Sequence, residues 1–165
     1  MKASDRLLIG IVAGIVVLIT AALIIALTKP EPTYLPEDTP EGVAYNDLFT
    51  LQKEDYAKAY AYLSPTLGGF PETEEDFIKN VRSHGWDFRL DQDSTLSLEG
   101  STINGSRANV TIQETWFSGG DFFKSNQYTN TFTMQLRQIN GEWKVEHSDY
   151  YYAQCWNDET GCPKE

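Results

Sequence analysis

The sequence predicts an α+β protein: an N-terminal transmembrane helix, then a domain of two to three helices packed on a curved antiparallel sheet of about four to five strands. Three observations carry this. Leu7–Leu27 runs without a charge; apolar residues recur at helical spacing from Ala44 to Val81; and after Gly85 the spacing changes to an alternation of two. Helices grouped before strands, rather than alternating with them, point to an antiparallel sheet with helices on its apolar face. A chain of 165 residues holds one such domain plus accessories.

The first element reads LLIGIVAGIVVLITAALIIAL over Leu7–Leu27. As a helix it spans about 31 Å, the thickness of a bilayer's hydrocarbon core. It exceeds the apolar region of an ordinary signal peptide, and Ile25-Ala26-Leu27-Thr28-Lys29 makes a poor cleavage site, so it reads as an uncleaved signal anchor. Lys2 and Arg6 precede it, whereas Lys29 alone follows before Glu31, Glu37 and Asp38. The positive-inside tendency then puts residues 1–6 in the cytoplasm and everything after Thr28 outside, as a single-pass cell-membrane protein with an extracellular or periplasmic domain. Gly10 and Gly14 have the spacing that lets two membrane helices approach, so a homodimer through this face is one expectation. Residues 28–40, with Pro30, Pro32, Pro36 and Pro40, read as a semi-rigid linker reaching up to about 40 Å.

The folded domain is expected over residues 41–152. Thr39-Pro40-Glu41 supplies a capping hydroxyl, a first-turn proline and an early acid. Ala44, Leu48 and Leu51 continue at helical spacing, Lys53-Glu54-Asp55 breaks the helix, and Tyr56, Ala59, Tyr60 and Leu63 resume it. Ser64-Pro65 and Gly68-Gly69 close the region. Thr73 with Asp76 starts another helix, carrying Phe77, Ile78 and Val81 and ending near His84-Gly85. His84 there serves as a C-terminal cation on the helix dipole. Period-two alternation follows in Phe88–Leu90, Leu96–Leu98, Ala108–Trp116 and Tyr128–Leu136. Asn140-Gly141 marks a hairpin into Trp143, Val145 and His147.

Two segments, AYNDLFTLQKEDYAKAYAYLSP and TEEDFIKNV, with the closing LRQINGEWKVE hairpin, resemble the nuclear transport factor 2-like superfamily, the cystatin-like cone fold. The resemblance covers about Glu41–Tyr152. It implies helices closed over a bent sheet around a cone-shaped interior. The superfamily holds isomerases, hydratases, cyclases, ligand carriers and secretion-system components, so the fold alone assigns no activity.

Polar residues in phase with the apolar strand faces are the candidates for chemistry. Glu114 lies between Ile112 and Trp116, and His147 follows Trp143 and Val145, with Asp149 next. A carboxylate and an imidazole meeting in an apolar interior could transfer protons. The alternative is a buried hydrogen bond, or side chains that reach solvent near strand ends. Aromatics at Trp116, Phe122 and Phe123 around Gly119-Gly120, with Trp143, Tyr151 and Trp156, mark a pocket or recognition surface, or else cap the core.

Cys155 and Cys162, the only cysteines, read as a structural disulfide if the domain lies outside the cytoplasm; a metal site lacks nearby histidine. The sequons at Asn104 and Asn109 are taken as chance. With 24 acidic against 13 basic residues and a net charge of −11, the chain is unsuited to nucleic acid. No phosphate loop, zinc-ligand spacing or nucleophile elbow occurs, and neither cofactor nor metal is expected. The reading that results is a tethered, non-enzymatic domain binding a small apolar ligand or a protein partner. Its alternatives are a structural part of an envelope or secretion assembly, and a small acid–base enzyme.

Overall fold

The computed structural model describes residues 3–28, 32–85, 88, 94–118 and 126–152. Cys155, Cys162, Phe122, Phe123, Trp156, Leu90 and Gly119-Gly120 lie outside these residues. The chain divides into two units, Met1–Thr33 and Tyr34–Glu165. The first contains helix α1, Ala3–Thr28. Its Leu8–Ile25 stretch has a mean hydropathy of 3.0 and buries nothing, so it is long and apolar enough to cross a membrane.

The second unit contains α2 (Pro40–Gln52), α3 (Tyr56–Tyr62) and α4 (Glu74–Ser83), then β1 (Ser94–Asn104), β2 (Arg107–Ser118), β3 (Asn126–Ile139) and β4 (Glu142–Ser148). The four strands form one antiparallel meander in the order β1-β2-β3-β4. Helix α2 packs on the sheet and on α3, and α4 packs on α3. The expected α+β class is observed, with three helices and four strands among the described residues of this unit.

Local chemistry sets the helix ends. The Thr39 hydroxyl accepts from the Gly42 amide at 3.1 Å, with Pro40 and Glu41 in the first turn of α2. The expected break is real: Glu54 has φ 58°, and Asp55 caps α3 by accepting from the Lys58 amide. The Thr73 hydroxyl accepts from the Asp76 amide at 3.1 Å and donates to the Asp76 carboxylate at 2.8 Å. At the other end of the unit, Asn140 and Gly141 both have positive φ, as a two-residue hairpin turn requires. A second tight turn, Gly105-Ser106, joins β1 to β2.

Almost every residue of α2 is buried, unlike a surface helix with one apolar stripe. The reason is that the proline-rich segment does not stay free along its whole length. The Asn46 carboxamide accepts from the Leu35 amide at 2.8 Å and donates to the Leu35 carbonyl at 2.9 Å. Tyr34 packs edge-on against Phe49, and Lys58 Nζ lies 3.6 Å from the Tyr34 ring centroid. The Tyr62 hydroxyl donates to Glu37 at 2.6 Å, and Lys58 reaches the same carboxylate at 3.3 Å. That hydroxyl above all holds the Glu37 carboxyl below its ordinary pKa; burial opposes it, and Lys58 adds to the lowering. The second unit takes in the chain from Tyr34 onward.

The seat for this segment is cut close at Gly42. A Cβ there would stand 1.8 Å from the Pro36 carbonyl oxygen, a backbone atom. Gly42→Ala is expected to cost about 1–3 kcal/mol through this overpacking, read as a lower urea midpoint with an unchanged slope.

Two bulges set which side chains enter the core. In β1 the register steps between Leu98 and Gly100. In β4 it steps where Gln135 pairs with His147 but Leu136 pairs with Val145, leaving Glu146 as the extra residue. Before the second bulge Trp143 and Val145 point inward; after it Ser148 does. Glu146 reaches Arg137 Nη1 at 3.2 Å and Arg107 Nε at 3.7 Å.

Candidate functional site

The inner face of the sheet presents Ala108, Val110 and Ile112 of β2 and Phe132, Met134 and Leu136 of β3, all buried. Cross-strand pairs 112–132, 110–134 and 108–136 keep them on one face. Glu114 continues this row and is fully buried. Its Oε1 accepts from the Ser94 hydroxyl at 2.6 Å and from the Tyr151 hydroxyl at 2.7 Å. Gln52 of α2 donates to the Ser94 hydroxyl at 2.7 Å, so a polar chain runs from helix through β1 to β2.

A second buried carboxyl lies on α2. Asp47 falls in phase with Ala44, Leu48 and Leu51, on the stripe that packs inward, and is wholly buried. The Tyr152 hydroxyl lies 3.0 and 2.9 Å from its two oxygens and donates to it. Burial pushes the Asp47 carboxyl up to about 8, outweighing the lowering effect of the Tyr152 hydrogen bond. At neutral pH it therefore carries a proton. Burial and the neighbouring Asp47 raise Tyr152 as well.

Consecutive tyrosines thus serve carboxyls on different elements, Tyr151 on β2 and Tyr152 on α2. An extended strand would send neighbours to opposite faces. Here the ladder with β3 ends at the Met134–Ser148 pair. The Asp149 amide donates to the Thr133 carbonyl at 3.1 Å, and the chain then bends through residues 149–152. Both rings turn into the core: Tyr152 meets Phe88 edge-on at 5.8 Å, and Tyr151 lies tilted on Phe132 at 5.7 Å.

Of the expected acid–base pair, Glu114 takes its inward place and His147 does not. The bulge at Glu146 reverses the phase of β4, so His147 pairs with Gln135 on the opposite face. There its Nε2 lies 3.3 Å from the Asp149 carboxylate, partly exposed. Glu114 stands opposite Asn130, five positions from Gln135 along β3, or about 17 Å. The structure does not bring the two together. Asp149 is exposed, and its carboxylate accepts from the Thr133 amide. Trp143 and Tyr151 are core residues, and Trp116 is half-buried opposite the exposed Tyr128. His84 is the C-cap of α4, its amide donating to the Asn80 carbonyl at 3.0 Å and its Nδ1 lying 3.0 Å from the same oxygen.

Among the described residues no cluster of histidine, cysteine and carboxylate side chains could hold a metal ion. Buried Asp47 and the partly buried Ser94 and Gln52 were not singled out from the sequence. The legible signal for Asp47 was its helical phase with Ala44, Leu48 and Leu51.

No family profile matches the chain, and no curated protein matches it either. Solved structures do. A SEC-C motif containing protein from Rhodopseudomonas palustris aligns over 70% of this chain and 81% of its own, at 18% identity and a TM-score of 0.50. A candidate ketosteroid isomerase from Shewanella frigidimarina covers 70% and 98%, at 20% identity and 0.48. A nuclear transport factor 2-like protein with a cystatin-like fold from Novosphingobium aromaticivorans covers 66% and 75%, at 8% identity and 0.48. These likenesses, all below 25% identity, concern the fold alone, a four-stranded antiparallel sheet with helices packed against it among the described residues.

Proposed function

We propose that the chain is a membrane-tethered binding domain, held outside the cytoplasm by α1, which acts by contact with a small apolar ligand or a protein partner rather than by catalysis. The observation that supports this most is the engagement of both interior carboxyls, Glu114 and Asp47, by the chain's own Tyr151 and Tyr152. The one imidazole expected beside them stands on the other face of the sheet. A general acid–base pair needs both groups within hydrogen-bond reach of the same reacting atoms, and this arrangement separates them.

The placement outside the cytoplasm rests on the apolar Leu8–Ile25 stretch and on its basic N-terminal flank. It is tested on intact cells carrying the full chain, with an amine reagent that cannot cross membranes. Lys53 and Lys79, both exposed on the folded unit, should be labelled without lysis. Labelling only after lysis would overturn the orientation.

A further inference from the structure

Two tight turns of the sheet carry an Asn-Gly pair, Asn104-Gly105 between β1 and β2 and Asn140-Gly141 between β3 and β4. The pairs sit differently in their turns. Asn104 is the last residue of β1 and forms the closing rung of its ladder with Arg107, so it precedes the turn. Asn140 lies inside its turn, after the closing rung Ile139–Glu142. It has φ 53° and Gly141 has φ 91°, the two positive values of a type I′ turn. Both asparagines are exposed, and a Cβ built on Gly105 or Gly141 would meet nothing within 4 Å. The turns are neighbours at one end of the sheet, where the Gln138 amide donates to the Ser106 carbonyl at 2.8 Å.

We propose that Asn140-Gly141 is a self-modification site, which converts without an enzyme to aspartate and isoaspartate, whereas the β1–β2 hairpin protects the chemically equivalent Asn104-Gly105. This goes beyond the binding-domain reading and does not depend on it. The Gly141 backbone nitrogen loses its proton to hydroxide and attacks Asn140 Cγ. An N–Cγ bond forms, the Cγ–Nδ2 bond breaks, and ammonia leaves behind a cyclic succinimide. Water then adds to either ring carbonyl: opening at Cγ gives aspartate, and opening at the Asn140 main-chain carbonyl gives isoaspartate. A water is consumed for each ammonia released, with no change of oxidation state. Closing the ring needs the glycine nitrogen eclipsed with the asparagine Cβ, at a ψ of about −120°, the value of the first central residue in a type II′ turn. Asn140 occupies that position. Flipping the single peptide between Asn140 and Gly141 converts type I′ into type II′, and both turns fit a two-residue hairpin. Glycine accepts the change in sign of φ that the flip demands of residue 141. The Ile139–Glu142 rung therefore stays in place while the reactive geometry is reached. Asn104 has no such route, because turning its ψ away from the extended value breaks the rung with Arg107. Isoaspartate routes the main chain through Cβ and lengthens a turn of fixed size, in the hairpin that carries Trp143 and Val145 into the core.

The test compares the two turns in the same molecule. The full chain in detergent is incubated in mildly alkaline buffer, folded or unfolded in urea, and both turns are followed by peptide mass spectrometry. Conversion registers as a gain of about 1 Da, and isoaspartate separates from aspartate by its elution. In urea the two asparagines should convert at rates within about threefold of one another, since glycine follows each and no ladder holds either. In the folded chain Asn140 should convert at least about tenfold faster than Asn104, the factor that loss of a ladder hydrogen bond supplies. Equal rates in the folded chain, or protection of both turns, would overturn the proposal, because the flip would then not deliver the reactive geometry. A preference for Asn140 that persists unchanged in urea would overturn it too, since the sequence and not the hairpin would be its cause. The double substitution G105N/S106G moves an Asn-Gly pair into the central positions of the β1–β2 turn. That pair should convert as fast as Asn140-Gly141 does, and conversion as slow as that of Asn104 in the unaltered chain would count against the turn position as the cause.

Discussion

Asp47→Asn will flatten the pH dependence of stability and raise the melting temperature at pH 8. The native carboxyl holds its proton up to about pH 8, whereas its ordinary value is 3.8. Below pH 4 both the folded and the unfolded chain carry the proton, and the native state has its full stability from this group. Between about 4 and 8 the unfolded chain releases the proton while the folded one keeps it, so stability falls steadily as pH rises. Above 8 the native state must bury a charge. Asparagine is neutral throughout, close to the same size, and still offers Tyr152 an oxygen. A few kcal/mol of pH-linked destabilisation should disappear, which for a unit of this size separates the two proteins by about 10 °C at pH 8. Near pH 4 their melting temperatures should differ far less. Thermal unfolding followed by circular dichroism from pH 4 to 9 checks this; parallel curves would mean that Asp47 is ionised in the native state.

Asn46→Ala will cost about 2–4 kcal/mol, the second large effect, by removing two hydrogen bonds at once and leaving the Leu35 amide and carbonyl without the carboxamide. Asn46→Asp should be at least as harmful near neutral pH. A carboxylate keeps the bond from the Leu35 amide but has no donor for the Leu35 carbonyl, and it is fully buried. The two variants separate a loss of size from a loss of donor. Chemical unfolding of each against the unaltered chain measures the difference, and a cost below about 0.5 kcal/mol for both would mean that Leu35 is not seated on α2 in solution.

Much of the fold was legible because its signals are local. Thr39, Pro40 and Thr73 announce helix starts, Lys53–Asp55 a break, and Asn140-Gly141 a hairpin, each through the hydrogen bonds or dihedral angles of a few neighbouring residues. What was not legible depends on an added residue or on distant partners. The alternation Trp143, Val145, His147 predicts three inward side chains, but the bulge at Glu146 turns the third outward, and nothing in the local sequence marks it. The β1 bulge near Gly100 likewise hid the second half of that strand and, with it, the Gly105-Ser106 turn. For the interior, Glu114 followed from strand phase. Asp47 did not, because an acid on a helix is read as solvent-facing unless its partner is known, and that partner, Tyr152, is 105 positions away.

The seating of Leu35 on Asn46 also fixes where the folded unit would bear a mechanical load. Tension arriving along the chain from its N-terminal side enters at Tyr34–Glu37, and the first bonds in its path are the paired carboxamide contacts to Leu35. Helix α2 takes the strain, while the strand ladders of the meander lie beyond it in the chain and are spared. The residue after the anchoring Asn46 is Asp47, so a pull strong enough to displace that turn of helix would be felt at once by the buried acid and its tyrosine.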